Sequence, residues 1–387
     1  MAPSAVIVGG GIGGLSAAIG LRRAGRRVTV LERAREFRPV GAGVVLQANG
    51  LRCLDALGVG AAVRNRGRAD LPGGTRTSDG RWLARIPADR LERALGTPAY
   101  GIHRAVLHEI LLDALPEDVV VRTGTRVTGV SADGVVACEG RDGDMRIEAD
   151  LVVGADGIRS AVREELWPGV SKPVPVGVTA WRGTAPPWRG ELPVAISWGR
   201  GAEFGIVPLE DGRIYWYAAV NAAPGTASSE VDARFSTWHE PIPALIAATG
   251  TVLRDELACL DKPLPTYVKG RVVLLGDAAH AMTPNLGQGA NQALEDAVVL
   301  AAVVDRPDGP AAYDRERRPR SQQVARASRA IGRFGQQLEN PLAVACRNAL
   351  VRVVPSRFAL RSMARFADWR PPPAAPESVP SRPGPDT

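Results

Sequence analysis

A set of glycines and a carboxylate stand where the phosphates and sugar of a nucleotide could be held. Gly9-x-Gly11-x-x-Gly14 follows directly on an apolar run, residues 5–8, and Glu32 closes the next apolar run, residues 27–31. An acid about 20 residues beyond such a turn is what a dinucleotide-binding βαβ unit requires. Gly9 allows the sharp turn, Gly11 lets a diphosphate approach the backbone, and Gly14 lets the following helix pack on the strand. Gly13 belongs to the same loop. The open amides at the helix start, at the positive end of its dipole, suit the diphosphate. Glu32 is suited to accept hydrogen bonds from an unphosphorylated adenosine ribose, which FAD and NAD share.

Two further acids stand at strand ends. Residues 150–163, DLVVGADGIRSAVR, read as a strand, then Gly-Ala-Asp156-Gly157, then a helix start. Residues 270–300, GRVVLLGDAAHAMTPNLGQGANQALEDAVVL, put Asp277 just after a strand and Gly287-Gln288-Gly289 at the start of a helix. Each acid also has a plainer reading, as a residue that orders a strand-to-helix turn. His280, close to Asp277, reads either as a general base or as a structural hydrogen-bonder.

Together the three motifs resemble those of the class A flavoprotein monooxygenases, the family of 4-hydroxybenzoate, salicylate and urate hydroxylases and zeaxanthin epoxidase. The resemblance spans residues 4–330. It implies an α/β fold in which a Rossmann-like FAD-binding domain is interleaved with a mostly antiparallel β-sheet substrate domain and followed by C-terminal helices. It also implies noncovalent FAD, with Asp277 on the ribityl hydroxyls and the backbone of Gly287, Gln288, Gly289, Ala290 and Asn291 at the flavin N1/O2 edge. Pro284 and Val45 would lie beside the ring, Arg104 on the phosphates and ribityl chain, Arg33 and Val127 at the adenine, and Asp156 near the cofactor. NADPH or NADH is implied as a transient co-substrate with no domain of its own. Hydride reduces the flavin, O2 reacts at its C4a position, and one oxygen atom passes to an aromatic or otherwise electron-rich small molecule, which is hydroxylated or epoxidised. The substrate's own phenol or amine often supplies activation, so no acid–base residue is singled out.

Two alternatives remain open: another FAD-dependent oxidoreductase of this fold, prenyl-chain reductase or halogenase-like, and a flavin-binding protein without turnover. In the urate-hydroxylase branch an Arg on the strand matching residues 202–208 anchors the substrate. Glu203 stands there in this chain, which speaks against urate.

The elements that must position these residues follow from periodicity. Residues 37–49 are Gly-rich and apolar, residues 50–57 look helical, and residues 102–115 have apolar positions at helical spacing. Strand-like pieces follow at 119–122, 126–130 and 146–154. From 174 to 268 the texture is β, with Asp211-Gly212 as a turn before RIYWYAAV. In that strand Tyr215, Tyr217 and Ala219 share one face and Ile214, Trp216 and Ala218 the other. A strand that buries Ile214 and Trp216 leaves the two phenols to a ligand or to water, so Tyr215 and Tyr217 are candidate substrate contacts, with Arg182 a candidate anchor for an anionic substrate. The expected division is residues 1–173 with 269–330 for FAD, 174–268 for substrate, a helical segment at 331–370, and a disordered, Pro-rich tail at 371–387.

Composition narrows the classes. The chain has 387 residues, 45% of them hydrophobic, and a net charge of +7. Its arginines are spread evenly with no basic block interleaved with aromatics, so a nucleic-acid partner is not expected. The four cysteines are scattered and suggest neither a disulfide framework nor a metal site. No apolar run is long enough to span a membrane, and a soluble cytoplasmic enzyme is expected. The basic amphipathic stretch at 342–366 could touch a membrane surface, but a helix packed on the core with its arginines outward is the preferred reading.

Overall fold

The structure is a computed structural model that describes residues 2–37, 43–69, 73–141, 143–222 and 230–373. Its centre is a six-stranded sheet in the spatial order Val268–Lys269, Val272–Leu274, Leu151–Gly154, Ser4–Val8, Arg27–Leu31, Val120–Arg122. All pairs are parallel except the edge pair formed by Val268–Lys269. The inner strands are short, continuous apolar runs, as a sheet buried on both faces demands; Ile7, Val152, Val153, Val272 and Val273 have no exposed surface. Helix Ile12–Arg23 leaves the first strand through the glycine turn and packs along helix Gly289–Val303.

A second sheet of seven strands runs Val252–Leu260, Pro173–Ala185, Ile214–Asn221, Ala202–Pro208, Ala195–Trp198, Gly73–Thr77, Trp82–Ile86. It is antiparallel except where Ala195–Trp198 meets Gly73–Thr77. One face carries its own core of Trp181, Phe204, Trp216, Phe235 and Leu245. There the Phe204 and Trp216 rings stack with centroids 5.3 Å apart. The other face turns toward the glycine loop and forms a cavity wall.

Four expectations are corrected. Residues 73–86, counted with the FAD-binding part, belong to the seven-stranded sheet, because Gly73–Thr77 finds its partner in the distant strand Ala195–Trp198. Residues 102–103 end the strand Tyr100–His103, and the helix begins at Arg104, where His103 Nδ1 accepts the Ala105 amide and caps it. Residues 146–154 are divided between Gly143–Glu148 and Leu151–Gly154, which lie in different sheets. Helix Pro341–Val353 turns Arg352 outward but not Arg347, which is buried, donates to the Gly335 carbonyl at 2.5 Å and lies over the Trp198 ring, while Leu342 is 77% and Val353 73% exposed. Of the tail, residues 374–387 lie outside the described residues. Among the described residues no helix is long and apolar enough to cross a membrane.

Candidate active site

The first motif forms one end of the cavity. Gly9 has φ +109°, and a Cβ there would lie 2.4 Å from the carbonyl oxygen of Ala155, just past the end of the neighbouring strand, so the turn admits only glycine. A Cβ on Gly14 would strike the Gly9 carbonyl at 1.9 Å. Gly11 is different, because a Cβ there would meet nothing within 4 Å. It caps a helix with no side-chain cap and no acid in its first turn, so the first amides are left for an anion. The Glu32 carboxylate accepts the Gly10 amide on Oε2 and the Ala34 amide on Oε1, both at 2.8 Å. It therefore fixes the loop while lining the cavity.

The second and third motifs also line the cavity. Asp156 Oδ2 accepts the Ala161 and Val162 amides, so this residue does order the strand-to-helix turn. Its Oδ1 is buried with no hydrogen-bond partner among the described residues, and burial pushes the carboxyl pKa up. The buried Arg163 joins the two motifs, donating to the carbonyls of Ile158 and Ala278. Gly276 has φ +59° and delivers Asp277 to the cavity, where no hydrogen bond to its carboxylate comes from the described residues.

His280 points away into a buried network. Its Nε2 lies 2.6 Å from Asp296 Oδ2, which also accepts the Gly276 amide at 2.8 Å, while Arg317 Nε donates to Asp296 Oδ1 at 2.7 Å. Burial works against the ionised Asp296, but His280 and Arg317 outweigh it and hold the carboxyl below its usual range. The structural reading of His280 therefore describes its surroundings, and the network fixes the backbone that carries Asp277.

Helix Gly289–Val303 forms the far side. Like the first helix, it has neither a side-chain cap nor an acid in its first turn. Pro284, Gly287, Gln288, Gly289 and Ala290 line the cavity. Asn291 does not: its Nδ2 donates to the Val45 and Gly287 carbonyls and its Oδ1 accepts the Gln47 amide, clamping strand Gly43–Leu46 to the helix.

The wall opposite is the seven-stranded sheet. Tyr215, Tyr217 and Ala219 face the cavity, and Ile214, Trp216 and Ala218 face the core. The two phenol rings lie 6.4 Å apart. Burial pushes Tyr215 up to about 12 and raises Tyr217 well above the usual phenol range, so both remain hydrogen-bonding phenols at neutral pH. Arg182 also lines the wall, but its guanidinium is ion-paired with Asp255.

Glu203 completes this wall. Burial raises its carboxyl from 4.5 to about 7, against the pull of the Trp198 indole. Across that interval the native protein keeps a proton that the unfolded chain has released, so stability falls as pH rises, and the penalty is complete above it. Glu203→Gln is therefore expected to stabilise the protein at about pH 8 by on the order of 2 kcal/mol and to leave it unchanged near pH 4. Urea unfolding of both proteins at the two pH values checks this. An equal difference at both would mean that Glu203 ionises as a solvated acid does.

These surfaces enclose a cavity of about 1020 Å³. Gly9, Gly11, Gly13, Glu32, Arg33, Val127, Val45, Arg104, Asp156 and Asp277 all line it, Asp156 beside the Gly9 turn. Of the expected cofactor positions, Gly14 and Asn291 stand behind the lining. Positions that sequence reasoning passed over also line it, among them Gln47, Arg126, Arg159, Ile331 and Phe366. Open backbone at Gly11, an acid presented at Asp277, a second uncapped helix start and an apolar, phenolic end fit a diphosphate, a polyhydroxyl chain and a flat ring in succession.

Residues 3–328 match the family described as FAD binding domain. The chain belongs to the class A flavoprotein monooxygenases. It is 38% identical to the aurachin C monooxygenase/isomerase of Stigmatella aurantiaca, over 91% of this chain and 94% of that one. It is 33% identical to the 2-heptyl-3-hydroxy-4(1H)-quinolone synthase of Pseudomonas aeruginosa, with the same coverage. Among solved structures, Klebsiella pneumoniae HpxO complexed with FAD and uric acid superposes with a TM-score of 0.85 at 27% identity, over 94% of this chain and 96% of that one. This class A member is thus an FAD-dependent monooxygenase, with NAD(P)H as the reductant typical of the family.

Proposed function

We propose that this enzyme hydroxylates an electron-rich aromatic small molecule held between the flavin end of the cavity and the sheet wall of Tyr215 and Tyr217. The observation that carries this reading is the continuity of one cavity from the glycine loop, past Asp277, to those phenols. Bound FAD supplies the redox chemistry, taking hydride from NAD(P)H and activating O2. The chain's own residues bind, orient and exclude water. Asp277 accepts hydrogen bonds from the ribityl chain, and the two uncapped helix starts meet the diphosphate and the electron-rich edge of the ring. Arg104, Arg33 and Val127 hold the phosphate and adenine side, with Val45 and Pro284 against the ring.

Tyr215 and Tyr217 orient an aromatic substrate by ring contact and hydrogen bonding, which suits a reaction whose main demand is geometry. Relatives named for a quinolone, for 3-amino-4-hydroxybenzoate and for 3-hydroxybenzoate make ring compounds the first class to test. Screening phenols, quinolones and polyketide-like aromatics for faster NAD(P)H oxidation, with product mass increased by one oxygen, tests the reading. Tyr215→Phe should raise KM or divert reducing equivalents to hydrogen peroxide by several-fold, without loss of FAD. If Tyr215→Phe and Tyr217→Phe both keep wild-type KM and coupling, the substrate lies against another wall.

A further inference from the structure

One buried acid on the substrate wall has no assigned role. Glu203 is 5% exposed, and its register opposite Ala219 on one neighbouring strand and Trp198 on the other puts its side chain on the cavity face. Trp198 Nε1 donates to Oε2 at 3.2 Å, and no other described residue donates to this carboxyl. Around it the cavity face is apolar or phenolic, through Ala180, Ile196, Gly205 and Tyr217. The cation on the same wall, Arg182, is already paired with Asp255. A buried carboxyl with one long hydrogen bond lacks a donor, and the open direction is the cavity.

We propose that Glu203 is a substrate-recognition residue that accepts a hydrogen bond from a ring N–H, so that the substrate is an uncharged N–H heteroaromatic of the 4(1H)-quinolone kind and not an aromatic carboxylate. This rests on the cavity being the hydroxylation site. A ring N–H meeting the carboxylate makes a charge-assisted hydrogen bond in a pocket screened from water, where such bonds are strongest. A benzoate-type ligand would bring a second negative charge toward Glu203, and among the described residues this wall offers no unpaired cation to offset it. A site that hydrogen-bonds a specific N–H also rejects analogues that lack it, since the buried acceptor is then left without a partner.

The same geometry fixes a pH signature. Tyr217 on strand Ile214–Asn221 is the titratable group that interacts with Glu203 across the wall; Tyr215, and Arg182 paired with Asp255, lie further along it, and Arg347 lies over the Trp198 ring. Burial keeps both phenols neutral through the neutral range. Affinity for an N–H ligand should therefore rise as pH passes about 7 and Glu203 becomes the stronger acceptor.

The test is titration of the flavin absorbance of the FAD-loaded enzyme with 4(1H)-quinolone, its N-methyl analogue, 1-naphthol and salicylate, with NAD(P)H oxidation measured alongside. At about pH 8 the wild type should bind the quinolone at least about tenfold more tightly than the N-methyl analogue. Glu203→Leu should abolish that preference while retaining FAD. Glu203→Gln should keep part of the preference and lose its pH dependence, and Glu203→Arg should gain affinity for salicylate. Equal wild-type affinities for the N–H and N-methyl ligands, a preference that survives in Glu203→Leu, or tighter wild-type binding of salicylate would each overturn the proposal. If phenols or carboxylates accelerate NAD(P)H oxidation and N–H ligands do not bind, the role of Glu203 falls and the hydroxylation reading stands. If no ring compound alters either signal, both fall.

Discussion

Arg317→Ala is expected to be the most damaging single substitution in the FAD-binding half. Arg317 has no exposed surface and binds two fully buried acids, donating through Nε to Asp296 at 2.7 Å and pairing through Nη1 with Glu295. It also donates to the Gln292 side chain at 2.8 Å. Truncation leaves Asp296 hydrogen-bonded to His280 and Glu295 paired with Arg320. Breaking a buried ion pair from one side costs about 3–5 kcal/mol, because the remaining charge is uncompensated. Urea unfolding should show that loss. Combining Arg317→Met with Glu295→Gln and Asp296→Asn should recover much of it, since the uncompensated charges then disappear. A single variant as stable as the wild type would mean that Arg320 and His280 alone neutralise the acids.

Asp277→Ala should have the largest effect on the cofactor. The carboxylate is presented to the cavity by a positive-φ glycine, with no described protein donor to satisfy it, so its loss should spare the fold. Hydrogen bonds to a charged acceptor contribute about 1.5–3 kcal/mol each, so FAD affinity should drop on the order of a hundredfold. The purified variant should be nearly colourless, with a wild-type circular dichroism spectrum, and should recover yellow colour only at high added FAD. Full flavin retention would show that the ribityl chain is held by other groups.

The glycine loop and the acid-bearing strand ends were legible in the sequence because their chemistry is local. A positive φ at Gly9, an open helix start at Gly11 and an acid at the end of the next strand all lie within one βαβ unit. The strand Ile214–Asn221 was legible for the same reason: period-two alternation assigns Trp216 to a core and Tyr215 to the opposite face without knowledge of neighbours. What could not be read depends on distant partners. Nothing near Gly73–Thr77 points to Ala195–Trp198, and nothing in the run YDRERRPR distinguishes Arg317 from the arginines around it. Arg347 is buried because Trp198 and the Gly335 carbonyl happen to face it, which helical periodicity alone reverses. Arg182 looked free in sequence and is paired only because Asp255 lies on the adjacent strand. Glu203 was visible as a departure from the urate-hydroxylase pattern, but its burial against Trp198 is a tertiary fact.

The central claim is that this cavity delivers one oxygen atom of O2 to a ring compound at the expense of NAD(P)H. It is tested most directly by turnover of the yellow enzyme under isotopically heavy O2 with a ring compound that accelerates NAD(P)H oxidation. The predicted product carries one heavy oxygen atom, formed in proportion to NAD(P)H consumed, and Tyr215→Phe shifts that proportion toward hydrogen peroxide. A product whose added oxygen comes from water, or NAD(P)H oxidation that yields only hydrogen peroxide with every accelerating compound, would contradict it.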